Sequence, residues 1–307
     1  MANLFQKFTG LLQDPAPDFV FEISETGVAW ARPALSVPPS FAPIEPGVLA
    51  VSPLVDNVLR MDALADQIRA VTRSGSARKR GGAVVILPDF SSRVAVLSFD
   101  QFPTDAKEQL SLVRFRMKKS VPFDVESAVV SYHIQSTGKQ AAAKGKGKTD
   151  VVVALAALEI VARYEAAFRS AGLHPGQVTT ASMAMIELLP VNGISVVARL
   201  SGRHLTVLVT NGPAVRLVRT VELADTSADE ILAVLFPTLA YVEDEMGSPA
   251  DRIYAVGFET AGVLPDWLGE LQIPVEPLRS RFGAPIGTNA GLLGYLEGMN
   301  RGIVKAA

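Results

Sequence analysis

Apolar residues recur along the chain with two different periods, and the way the periods alternate predicts its elements. In residues 2–13, ANLFQKFTGLLQ, the residues Leu4, Phe5, Phe8, Leu11 and Leu12 fall on one face of a helix. That segment reads as a helix docked on the body, or as an amphipathic helix that touches membrane lipid or a partner. After the break DPAP, the stretch FVFEISETGVAWARP reads as two strands about a Ser-Glu-Thr-Gly turn. A proline-rich extended passage over 33–53 leads to a helix from about Asp56 to Arg73, with Val58, Met61, Leu64, Ile68 and Val71 on one side. AVVILPD and RVAVLSF then form two β-branched strands joined by a turn at Asp89 to Ser92.

A further helix opens at Pro103-Thr104 with Thr104 as its N-cap, turns Leu110, Val113 and Met117 inward, and stops before Pro122. Arg114, Arg116, Lys118 and Lys119 gather at its end, where positive charge suits the helix dipole. That structural role outweighs a polyanion site. Beyond lie a strand at about Ala128 to Gln135, a small-residue loop STGKQAAAKGKGKT, a buried strand DVVVALAAL and an amphipathic helix EIVARYEAAFRSAGL ended by Gly172 and Pro175. From 194 onward three strands meander about SGRH and NGP, then helices and strands alternate to the end, predicting α/β layers.

Composition narrows the functions that remain. Apolar residues make up 49% of 307 and charged residues 20%, so a packed protein is expected. A formal charge of -2 gives no net pull toward nucleic acid. With no cysteine and only three scattered histidines, thiolate chemistry is excluded and no metal site is expected. The apolar runs are too short to span a bilayer, and the start lacks a signal-peptide pattern, so a cytoplasmic location is expected.

The hairpins at 19–32 and 194–219 share one plan, which suggests a duplicated fold. The stretches VVILPDFSSRVAVLSF, FRMKKSVPFDVESAVVSYHI and DVVVALAALEIVARYEAAFRSAGLHPGQVTTASMAMIEL resemble, in that order, segments of the PilM family. These are actin-like cytoplasmic proteins of type IV pilus assembly; the resemblance extends more distantly to the cytoplasmic part of the type II secretion L proteins. It implies an actin-like α/β fold with ribonuclease H-like duplicated halves, an inserted α+β subdomain and a reduced lid. The implied division is an N-terminal amphipathic helix (1–16), a first subdomain (17–79 and 179–193), the inserted subdomain (80–178), a second subdomain with a truncated lid (194–285) and a C-terminal helix returning to the first subdomain (286–307).

In that fold two turns beginning Asp-hydrophobic-Gly hold nucleotide, and here both are altered. The first reads Glu22-Ile23-Ser24-Glu25-Thr26-Gly27, the second Arg199-Leu200-Ser201-Gly202-Arg203, and the adenosine-side double glycine is reduced to Gly257-Phe258-Glu259. Glu22 is expected at a strand edge against solvent, and Arg199 and Arg203 in surface or intramolecular ion pairs. Only a handful of residues stand where the lid would be. No catalytic residue, metal or cofactor is therefore expected, ATP with magnesium being disfavoured. The implied role is a scaffold, peripheral to the inner membrane, for the tail of a PilN-like membrane protein, with other pilus proteins and self-association as further partners. Phe115, Arg116, Lys119, Pro122 and Phe123 are the expected partner-binding neighbourhood, each phenylalanine being expected to pack inside. The alternative is a working ATP-binding ATPase of the same machinery.

Overall fold

A computed structural model describes residues 16–35, 38–73, 81–135, 148–259 and 262–301. The expected helix at 2–13 and nearly all of the lysine-bearing loop lie outside the described residues.

Two sheets repeat one plan. In the first, β1 (Phe19–Ser24) turns back through β2 (Gly27–Ala31) to β3 (Ser40–Pro43), and β4 (Gly82–Leu87) and β8 (His174–Thr180) join in parallel, giving the order β3-β2-β1-β4-β8. The second has β9 (Ile194–Ser201), β10 (His204–Asn211), β11 (Ala214–Glu222), β12 (Arg252–Val256) and β13 (Val275–Pro277), in the order β11-β10-β9-β12-β13. The duplication extends from the two hairpins to all five strands of each sheet. This is the actin-like fold.

Helices cover both faces of the first sheet, which is why β1 reads as an almost continuous apolar run. Phe19, Phe21 and Ile23 pack under α1 (Met61–Thr72) and α3 (Leu158–Ser170) through Leu64, Ile68, Tyr164 and Phe168. Val20, Val84 and Ile86 face α4 (Ala181–Met185) and α6 (Ala290–Asn300). Gly294 permits that approach, since a Cβ there would sit 2.2 Å from the Ala184 carbonyl oxygen. α1 starts at Met61, five residues later than Asp56. Before it, Val58 bridges Leu49, and the Asn57 amide ties to the Ser52 and Val55 carbonyls, holding the chain extended.

A third, antiparallel sheet, β5-β7-β6, is formed by β5 (Arg93–Phe99), β6 (Val129–Ile134) and β7 (Thr149–Ala156). α2 (Ala106–Met117) covers one face, with Val113 and Met117 against Val151, Val153 and Leu155. The inserted unit is thus narrower than 80–178. β4 pairs with β1 and β8 with β4, so the two strands read as one inserted pair are divided between sheets at the Asp89–Ser91 turn. The cap of α2 is Asp105 rather than Thr104: its carboxylate accepts the N–H groups of Lys107 and Glu108. Only 223–227 separate β11 from α5 (Ala228–Met246), which leaves no lid subdomain there. Among the described residues no helix is long and apolar enough to cross a membrane.

Candidate functional site

The turns ending β1 and β9 meet at the junction of the two halves. Glu22, fully buried on β1, accepts from Arg199 Nη2 at 2.5 Å through Oε1 and from the Leu292 N–H at 2.7 Å through Oε2. Asp89, just after β4, accepts from Arg199 Nη1 at 3.1 Å and Thr206 Oγ1 at 3.0 Å through Oδ2. Its Oδ1 accepts from the Ser182 N–H at 2.7 Å. Arg199 Nη2 also donates to the Gly287 carbonyl at 2.5 Å. Each carboxylate therefore meets the first turn of a helix, α6 for Glu22 and α4 for Asp89, where free N–H groups favour negative charge. Burial pushes the Glu22 carboxyl above the ordinary carboxylate range, while Arg199 and the Leu292 N–H pull it back.

Main chain closes in around this cluster. A Cβ on Gly257, whose φ is 81°, or on Gly287 would lie 2.1 Å from the Leu200 carbonyl oxygen, so the three segments touch only because both residues are glycine. What remains between the turns is a cavity of about 20 Å³, room for roughly one water. Ser24, Glu25, Thr26, Ser201 and Gly202 line it. The His204 ring stacks on Phe90 at 4.5 Å; its Nε2 and the Arg199 Nε are buried with no hydrogen-bond partner among the described residues. Burial lowers the His204 imidazole below the usual histidine range.

The altered turns come together as their positions in the hairpins imply, but with different roles for individual residues. Glu22 is not at a solvent-facing edge: β1 is the central strand, flanked by β2 and β4. Arg199 makes a buried intramolecular pair, and Arg203 makes a surface pair with Glu222 at 3.8 Å while donating to the Leu223 carbonyl. Glu25 binds the Val51 N–H at 2.7 Å through Oε1. Gly27 is required by packing, since a Cβ would sit 2.5 Å from the Ala42 carbonyl oxygen as well as against the Phe41 ring. Sequence reasoning read Asp89 only as part of a turn and did not single out Thr206, Ser182 or Gly287. The signal present was a charge set within each apolar run, FVFEIS and ISVVARLS, since buried charges require partners.

A second concavity, about 240 Å³, opens between the inserted sheet and the first half. Val129, Ser131, His133 and Ala154 line it from the inserted sheet, Val178 and Met183 from the first half. The expected partner-binding residues lie elsewhere: Phe115, Arg116, Lys119, Pro122 and Phe123 belong to α2 and the turn after it, on the opposite face of the sheet. Phe115 is 74% exposed rather than packed inside, because Val113 and Met117 take the inward face of α2. Phe123 does pack against that core, and the Arg116 guanidinium sits 5.2 Å from the Phe99 ring centroid. Arg114 donates to the Val125, Glu126 and Ala128 carbonyls and so holds the chain that leads into β6.

No family model matches the chain, and no curated protein matches it. Solved structures do. A chain of the PilM-PilN type IV pilus biogenesis complex superposes with a TM-score of 0.71 at 19% identity, covering 95% of this chain and 100% of that one. The cytoplasmic domain of EpsL, an inner-membrane component of the type II secretion system of Vibrio cholerae, superposes with a TM-score of 0.52 at 12% identity, covering 92% and 94%. At these identities the likeness is one of fold, and it spans both duplicated halves together with the inserted sheet.

Proposed function

We propose that the protein is a non-catalytic actin-like adaptor of a type IV pilus or related secretion assembly, which holds the cytoplasmic tail of a PilN-like membrane protein and is peripheral to the inner membrane through it. The observation that carries this reading is the concavity between the inserted sheet and the first half. It is largely apolar and open, and it runs beside β6, the edge strand of the inserted sheet. Such a groove suits an extended segment, with its side chains in apolar pockets and its main chain beside a strand edge. The likeness to a chain of the PilM-PilN complex supports the same occupant. The Arg199 cluster supports the absence of catalysis, because Arg199 engages both Glu22 and Asp89 and leaves neither carboxylate free to organise magnesium.

The test is a fluorescence anisotropy titration with a labelled peptide copying the cytoplasmic tail of a PilN-like membrane protein. Saturable binding that falls about tenfold or more on Ala154→Trp, which would fill the groove, and is unmoved by Phe115→Ala supports the reading. Binding lost on Phe115→Ala and kept on Ala154→Trp would instead place the partner on the α2 face. Saturable micromolar Mg-ATP binding by calorimetry would favour the ATPase alternative.

A further inference from the structure

The acceptors at the junction outnumber what a single carboxylate pair supplies, and they are arranged for one kind of cation. Glu22 Oε1, Asp89 Oδ2 and the Gly287 carbonyl all face Arg199, and both terminal nitrogens of its guanidinium are engaged at 2.5 to 3.1 Å. A planar fork with fixed donors can meet three acceptors in this way, whereas an ammonium is a point charge on a flexible stem. The two carboxylates come from β1 and the turn after β4 in the first half, and the carbonyl from the segment that passes over Leu200 on its way into α6, while Arg199 comes from β9 in the second half. We infer that the two carboxylates of the first half, completed by the Gly287 carbonyl, form a built guanidinium site and that Arg199 occupies it as an internal ligand, joining the two halves without an exchangeable one.

The chemistry of the site selects against a phosphate. Two carboxylates and a carbonyl oxygen repel an anion, and they already engage both terminal nitrogens of Arg199. Separate contacts tie the inserted sheet to the second half. The Gln135 side chain exchanges two hydrogen bonds with the Val215 main chain, at 2.9 and 2.7 Å, and Arg216 pairs with Asp150 at 2.7 Å, so that sheet rests on the second half as well as the first. This inference deepens the adaptor reading by supplying a frame independent of nucleotide.

The test is chemical rescue. Arg199→Ala should lower Tm by about 10 °C, the loss expected when a buried ion cluster loses one member in a chain of this size. Low millimolar guanidinium chloride should raise the Tm of the variant while leaving the wild type unchanged, and sodium chloride at equal concentration should not. Arg199→Lys should stay within a few degrees of the alanine variant. If Arg199→Ala does not fold, Arg199→Lys carries the test: a Tm equal to wild type would overturn the requirement for a fork. An alanine variant as stable as wild type, or indifferent to guanidinium, would overturn the site. Peptide binding is measured separately, so failure of the adaptor reading leaves a rescue result standing, and failure of rescue leaves the groove untouched.

Discussion

Substituting Gly287 by alanine tests whether close main-chain approach holds the junction together. The added Cβ would lie 2.1 Å from the Leu200 carbonyl oxygen and 3.2 Å from its carbon. Ordinary carbon-oxygen contact is well over ~3 Å, so the segments must separate by about 1 Å. Overpacking of that kind costs about 1–3 kcal/mol. Separation also stretches the 2.5 Å hydrogen bond from Arg199 Nη2 to the Gly287 carbonyl, a charged bond worth about 1.5–3 kcal/mol. The two effects share one displacement, so the expected loss is about 3–5 kcal/mol rather than a full sum. Urea denaturation of Gly287→Ala beside Gly176→Ala measures it. At Gly176 a Cβ meets nothing within 4 Å among the described residues, so that variant should lie within about 1 kcal/mol of wild type. A Gly287→Ala protein as stable as the Gly176→Ala control would refute the close-packed junction.

Three further outcomes follow from single residues. Burial holds the His204 imidazole low, while Glu25, Glu222 and Asp89 oppose it and Arg203 adds to it. A depressed folded value means the stabilisation is present above the unfolded value of about 6.5 and is lost as pH falls through the lower folded one. Wild-type Tm should therefore drop further than that of His204→Phe on acidification from neutral pH; parallel curves would refute the assignment. Arg114→Ala should cost about 2–3 kcal/mol by releasing the carbonyls of Val125, Glu126 and Ala128, with faster amide exchange confined to the inserted unit. Gln135→Ala should speed exchange of the Val215 N–H, which donates to the Gln135 side-chain oxygen at 2.7 Å, and unchanged exchange would show that this link does not hold the inserted sheet.

The fold was legible where period and punctuation agreed. The hairpin at 19–32 and the meander from 194 read as strands because their turns carry glycine and their flanks are apolar, and they emerge as β1-β2 and β9-β10-β11. Sheet membership was not legible. AVVILPD and RVAVLSF look alike locally, yet β4 is buried on both faces of the first sheet while β5 is an edge of the inserted one. The short Asp89–Ser91 turn hides that change of sheet. The altered turns stand out in residue type against a known pattern, but Asp89 does not, because its partner Arg199 lies 110 positions away and nothing local marks the pair. The exposure of Phe115 was missed for a related reason: in a helix whose inward face is only Val113 and Met117 wide, one aromatic residue can fall on either side.

Why the two halves are joined by opposite charges follows from the duplication itself. Glu22 stands two residues before the Ser24–Gly27 turn, and Arg199 two residues before the Ser201–His204 turn, so they occupy equivalent places in the two central strands. Residues related by the internal pseudo-symmetry approach one another where the halves meet, and a carboxylate opposite a guanidinium makes that approach attractive. Their surroundings are not symmetric. Glu22 also takes the Leu292 N–H at the start of α6, and Arg199 also holds Asp89 and the Gly287 carbonyl. Exchanging the pair as Glu22→Arg with Arg199→Glu would bring a guanidinium to a helix N-terminus and set a carboxylate beside Asp89, two unfavourable contacts replacing two favourable ones. The double variant should thus remain at least about 3 kcal/mol less stable than wild type, as a single change at a buried charge would be. A double-mutant cycle by urea denaturation measures this. Recovery to wild-type stability in the exchanged protein would mean that the pair acts alone and that Asp89 and the two helix termini contribute nothing to the junction.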